Sequence, residues 1–127
     1  MRILVVDDEA GVRDVLRRIL VLQGHQVDCA PDVDHAVSLV EKQQYDISFV
    51  DYSMPGKDGL WFLANVVQPR KMQAVLMTAY GTMDLLDQAL QMGAASCMLK
   101  PFAMAEILRN EEEHSAPKDG ARPAYVP

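Results

Sequence analysis

Only two cysteines occur in the chain, Cys29 and Cys97. They stand far apart, without the spacing of a metal site. Both lie in apolar stretches, so small buried hydrophobes are expected there. Long hydrophobic runs are missing as well. No stretch approaches the roughly 18 apolar residues of a membrane span. Met1 and Arg2 lead straight into an apolar strand-like run, leaving no room for a targeting leader, and cytoplasmic residence is the expectation. Positive charge is in the minority, with 12 Lys and Arg against 18 Asp and Glu and a formal net charge of -6. Such a balance disfavours direct nucleic-acid binding by this domain. No internal repeat is present. What remains is ordinary globular composition, 50% hydrophobic and 24% charged over 127 residues. That length is one domain, able to bury roughly two-thirds of its unfolded surface.

Apolar runs alternate with helical periods along the chain. Ile3-Leu4-Val5-Val6 reads as a first strand, and Gln26 to Ala30 as a short second one. Ile47 to Val50, Ala74 to Met77, and Cys97 to Leu99 complete five. Between them, Val12, Val15, Leu16, Ile19 and Leu20 form one face of a first helix, with Arg13, Arg17 and Arg18 pointing elsewhere and Gly24 ending it. Asp32 or Asp34 caps a second helix with stripe Val33, Ala36, Val37 and Val40. Leu60, Leu63, Ala64 and Val67 mark a third, expected to stop before Pro69. Thr82 caps a fourth, carrying Leu86, Ala89 and Leu90 on one side, with Gly93 at its end. A last helix begins with Met104, Ile107 and Leu108, but its stripe fails at Glu111 and Glu112. The predicted boundaries are a domain over 1–113 and a Pro-containing tail or linker over 114–127. Strict alternation predicts right-handed crossovers and a parallel sheet covered on both faces.

Polar residues end four of these runs: Asp7 and Asp8, Asp51, Thr78 and Lys100. The carboxyl ends of strands in an open parallel sheet face one crevice. Each residue alone has a bland reading: a helix cap for Asp7-Asp8, a turn residue for Thr78, a solvated charge for Lys100. Four successive strands delivering such groups at the same end point instead to a site. Adjacent carboxylates at ~4 Å repel by about 4 kcal/mol at a protein-like effective dielectric. They therefore call for a divalent cation or a raised carboxylate pKa. Hard oxygen ligands suit Mg2+, and a phosphoryl group arriving there would meet both the cation and Lys100. A carboxylate can itself be the nucleophile. Asp51, in the central run beside the Pro55-Gly56 turn, is the best placed.

With Val5-Val6-Asp7-Asp8-Glu9, Asp51 through Gly59, Met77-Thr78-Ala79-Tyr80-Gly81 and Leu99-Lys100-Pro101-Phe102, the chain resembles the receiver domain of two-component response regulators over residues 1 to about 112. The resemblance implies a flavodoxin-like, doubly wound α/β fold with strand order 2-1-3-4-5, here with a short fifth helix. It implies that Asp51 accepts a phosphoryl group from a histidine kinase, a phosphotransfer protein or a small phosphodonor. Asp8, Asp51 and the Ser53 backbone carbonyl would ligate Mg2+, with Asp7 acting through a metal-bound water. Thr78 and Lys100 would hold the phosphoryl oxygens, helped by the Ala79 N–H. The domain would be a switch, not an enzyme, though it assists its own Mg2+-dependent phosphorylation and dephosphorylation. Its output would pass through the fourth helix, fifth strand and fifth helix to an effector, transcriptional in one reading, and that surface is a candidate for homodimer formation. Residues 78–83 are similar to receivers attached to ATP-driven transcriptional activators.

Two departures stand out. Cys97 occupies the position where the family usually has an aromatic residue that turns inward behind the threonine, and Tyr80 is either a partial substitute for it or a structural residue of the loop after the fourth strand. The curtailed last helix is the second. Either it ends early before an output domain, or the tail folds back with Tyr125 and Val126 covering what it leaves bare. Ser53 and Tyr80 stand where the family tunes phosphoryl lifetime. An aspartate-nucleophile phosphatase is a competing reading, but Asp7-Asp8-Glu9 does not place two acids two residues apart on the first strand, and no cap insertion is present. A nonphosphorylated receiver-like binding module would have lost an acidic residue or the lysine, and all are here.

Overall fold

The computed structural model describes residues 1–70, 72–100, 107, 109 and 110. Five strands among the described residues, β1 (Arg2–Val6), β2 (Gln26–Ala30), β3 (Ile47–Asp51), β4 (Gln73–Thr78) and β5 (Ser96–Leu99), form one parallel sheet. Their order is β2-β1-β3-β4-β5, as expected from the resemblance. Four helical elements connect them: α1 (Ala10–Leu22), α2 (Val33–Lys42), α3 (residues 59–70) and α4 (Met83–Gln91).

The pleat divides the core. Ile3, Val5, Ile47, Phe49, Val75, Met77 and Met98 point to one face, where Leu16 and Leu20 of α1 and Ile107 cover them. Leu4, Val6, Val50, Ala74 and Leu76 point to the other, under α2, α3 and α4. Central β3 is buried along its whole length, which is why its run is continuous rather than alternating. A buried hydrogen bond from Ser96 Oγ to Asn110 Oδ1 (2.7 Å) ties β5 to the following helical residues.

The helix ends follow local chemistry. Asp32 accepts from His35 N–H at 2.8 Å and Thr82 from Leu85 N–H at 3.1 Å, so both expected caps form. Gly24 at φ 92° closes α1, donating its N–H to the Val21 carbonyl. Three expectations are corrected. Val15 of α1 is half exposed and Leu90 of α4 is exposed, while Leu85, outside the predicted stripe, is buried beside Ala89. α3 does not stop before Pro69 but runs through it to Arg70, with a wide π turn over Leu63–Val67. Proline brings no N–H and crowds the carbonyl four residues back, and widening the turn before it absorbs both effects. The Arg70 guanidinium donates to the Val66 carbonyl there. The wide turn also rotates the buried face, bringing in Phe62 and Val66 and leaving Leu60 and Ala64 half-buried. The two cysteines are half-buried rather than buried. Burial nevertheless raises both thiol pKa values, Cys97 to about 11, so neither is a thiolate at neutral pH.

The predicted stripe failure at Glu111 and Glu112, the short fifth helix beyond residue 110 and the 114–127 tail lie outside the described residues. Among the described residues, no helix is long and apolar enough to cross a membrane.

Candidate functional site

Register levels the strand ends. Val6 lies beside Val50, Asp51 beside Met77, and Thr78 beside Leu99. The residues that follow β1 and β5, and those that close β3 and β4, therefore meet at one edge. Backbone hydrogen bonds carry the ladder a step further, from Asp7 N–H to Ala30 O, Tyr52 N–H to Met77 O and Lys100 N–H to Thr78 O. The site is thus positioned by the sheet itself, with Asp7, Asp51 and Thr78 buried and Asp8 exposed at the rim.

One carboxylate oxygen from each of Asp7, Asp8 and Asp51 lies within 4.8 Å of the others. Lys100 Nζ spans the group, 2.7 Å from Asp7 Oδ2, 3.3 Å from Asp51 Oδ1 and 3.6 Å from Glu9 Oε1. One ammonium cannot balance this many carboxylates, and its closest contact is Asp7. Asp51 bears the residue of that imbalance. Burial, then the Asp7 charge, pushes its pKa up to about 6, against the pull of Lys100 and the Ser53 N–H. Burial alone would depress the Lys100 pKa, but Asp7 and Asp51 outweigh it and the net direction is upward.

Asp7 also has a structural task. Its Oδ1 accepts from Glu9 N–H at 2.9 Å, while the N-cap of α1 is Glu9, which makes no side-chain cap bond. Neither Asp7 nor Asp8 is therefore the cap that the bland reading offered. Thr78 is buried at the end of β4, but its hydroxyl is turned to its own loop. It accepts from Tyr80 N–H at 3.1 Å and donates to the Tyr80 carbonyl at 3.4 Å. Ser53 and Ala79 lie in exposed turns beside the crevice.

Three contributors had no assigned role at the sequence level. Glu9 faces Lys100. Arg13, expected to point away, reaches back and donates to the Asp7 carbonyl at 2.7 Å. The signal for it is geometric: side chains early in a helix lean over its N-terminal end, here the end of β1. Gly59 opens α3 directly against β3, where a Cβ would fall 2.4 Å from the Asp51 carbonyl oxygen. Gly59 closes the motif that starts at Asp51, but only packing reveals the close approach.

The donor set fits a hard divalent cation. It offers only carboxylate oxygens, mutually repelling and partly buried, on a rigid sheet edge.

A doubly wound sheet of this order, with an acidic cluster and a lysine at its carboxyl edge, defines a class that the comparisons make definite. The chain belongs to the response regulator receiver domain family, whose profile matches residues 3–110. It is 33% identical over 107 residues to sporulation initiation phosphotransferase F of Bacillus subtilis, covering 84% of this chain and 86% of that protein. The receiver domain of NtrX from Brucella abortus superposes with a TM-score of 0.82 at 29% identity, covering 88% of this chain and 96% of that one. The chemotaxis protein CheY4 of Vibrio cholerae, at 23% identity, shares the fold with a TM-score of 0.83 over 87% of this chain and 95% of its own.

Proposed function

We propose that this receiver domain is a phosphorylation-dependent switch in which Asp51 is the phosphoacceptor. The observation that carries the reading is the cluster itself, three carboxylates within 4.8 Å bridged by Lys100 at the ends of adjacent strands. An Asp51 carboxylate oxygen attacks the phosphorus of a phosphohistidine on a histidine kinase or phosphotransfer protein. The P–N bond breaks, its electron pair leaves with the imidazole nitrogen, and an acyl phosphate remains on Asp51. Lys100 then holds a phosphoryl oxygen, and the Thr78 hydroxyl and Ala79 N–H hold others.

Asp7, Asp8, Asp51 and the Ser53 carbonyl are the groups that would hold Mg2+. When bound, Mg2+ supplies charge neutralisation for the phosphoryl oxygens. Lys100, held by both Asp7 and Asp51, shares the neutralising task that the cation would supply. The altered surface is that of α4, β5 and the helix after β5, where an effector binds or a second copy pairs, in the cytoplasm. A relay role, with the phosphoryl group passed on to another protein, is the second reading, favoured by the name of the Bacillus subtilis relative.

The test is intact mass after incubation with acetyl phosphate and Mg2+. One added phosphoryl group, labile to hydroxylamine, is expected, and none in Asp51→Asn. Equal labelling of Asp51→Asn would falsify the assignment.

A further inference from the structure

We propose that Lys57 is a positioning residue for the cation. Its ammonium staples the loop after β3 to α2 and α3, and so holds the Ser53 carbonyl ready for Mg2+. The inference rests on the assignment of that carbonyl to Mg2+ above and adds the residue that keeps it in place.

The carboxylates of the site are carried by the sheet. Asp51 closes β3, and Asp7 extends the ladder of β1 by donating its N–H to the Ala30 carbonyl. Ser53 has no such support. It is exposed, in an arc of chain that leaves the sheet at Tyr52 and enters α3 at Gly59. The flanks of the arc are fixed. Gly59 N–H donates to the Tyr52 carbonyl at 3.0 Å, Met54 is buried in the core, and Asp58 accepts from Trp61 N–H at 2.9 Å. Between them Pro55, Gly56 and Lys57 are exposed, and Gly56 turns the chain at φ 82°, a conformation that glycine adopts without strain.

Lys57 restrains that stretch from two sides. Its Nζ donates to Asp34 Oδ1 at 3.0 Å, in the first turn of α2. It also stands 4.8 Å from the centre of the Trp61 ring, in the first turn of α3. An exposed ion pair or an exposed cation–π contact is weak alone. One ammonium making both holds the arc against two helices at once. Conformational freedom removed before the cation arrives is not lost again on binding, so a residue outside the ligand set raises affinity. Charge works the other way. A positive group near a cation site opposes binding by Coulomb repulsion, so loss of the Lys57 charge by itself would tighten Mg2+. Loss of the staple weakens it. The sign of the change separates the two.

The test is a Mg2+ titration of the full chain followed by the amide signals of Asp8, Ser53 and Met54. The indole signal of Trp61, the one tryptophan in the chain, monitors the stack. In Lys57→Met the Trp61 signal should move, and the Mg2+ dissociation constant should rise about fivefold, the size expected of one exposed cation–π contact and one exposed pair. Lys57→Arg, which stacks and pairs as lysine does, should stay within about twofold of the unsubstituted chain. A dissociation constant unchanged or lower in Lys57→Met overturns the inference and leaves Asp51 as the phosphoacceptor, which the acetyl phosphate assay reads separately. A weakening that Lys57→Arg shares in full also overturns it. No Mg2+-dependent shift in the unsubstituted chain overturns the cation assignment together with the inference.

Discussion

Asp51 is held in a state that its neighbours make costly. Its ordinary pKa of 3.8 is raised to about 6 in the fold, by burial first and by Asp7 second. The folded chain therefore binds a proton at Asp51 more tightly than the unfolded chain does. As pH rises from about 4 to about 6 the unfolded state loses that proton first, and folding stability falls across this window. Above it, the ionised group costs on the order of 3 kcal/mol, since each unit of separation is worth about 1.4 kcal/mol. Asp51→Asn should accordingly be more stable than the unsubstituted chain by that order at pH 7.5 in EDTA, with the gain vanishing below pH 4. Urea denaturation at the two pH values checks it, and a pH-independent difference would refute the electrostatic account. The candidacy of Asp7, Asp8, Asp51, Thr78 and Lys100 was legible in sequence because each follows or closes an apolar run. The partner of each group was not. That Lys100 lies nearer Asp7 than Asp51, that Arg13 returns to the Asp7 carbonyl, and that Thr78 is engaged by Tyr80 depend on rotamers and inter-strand distances.

Elements were read best where a local signal fixes them. Gln26–Ala30 forms β2 as expected, and Asp32 and Thr82 cap the helices they precede. Thr82 gives a direct test. Thr82→Ala removes the acceptor for Leu85 N–H and should cost about 1 kcal/mol. Amide exchange in the first turn of α4 should speed up before that of the rest of the helix, and uniform acceleration would show that the cap is not local. Helix faces were read less well. A 3.6-residue stripe several residues wide does not say where burial stops, so Val15 and Leu90 lie on the stripe yet stand exposed, while Leu85 lies beside it and is buried. In α3 the period itself changes. The wide turn before Pro69 shifts the face by a fraction of a turn, and no regular template contains it.

For the molecule as a whole, a cation bound at the buried charge cluster would add to stability. Lys100→Ala leaves Asp7, buried and ionisable, without its closest partner, and loss of one member of a buried pair costs about 3–5 kcal/mol. Its thermal midpoint in EDTA should drop clearly. Mg2+ should restore more of the loss in Lys100→Ala than it adds to the unsubstituted chain, because a cation takes over the neutralising task. At a hundred times its dissociation constant, a ligand adds about 2.7 kcal/mol. Calorimetric melts with and without Mg2+ check this, and an equal Mg2+ increment in both proteins would show that the lysine and the cation do not share a task.

The strand order came with the family resemblance, whereas the parallel sheet, its two covered faces and the acidic edge follow from alternation and run length, because a parallel sheet needs crossovers and buried strands need continuous apolar side chains. Those are short-range properties of the chain. The raised Asp51 pKa, the Lys100 contacts to Asp7 and Asp51, the Gly59 packing under Leu76 and a cavity at Cys97 arise between segments apart in sequence. They are set by how side chains meet across the sheet, and only the tertiary structure decides that.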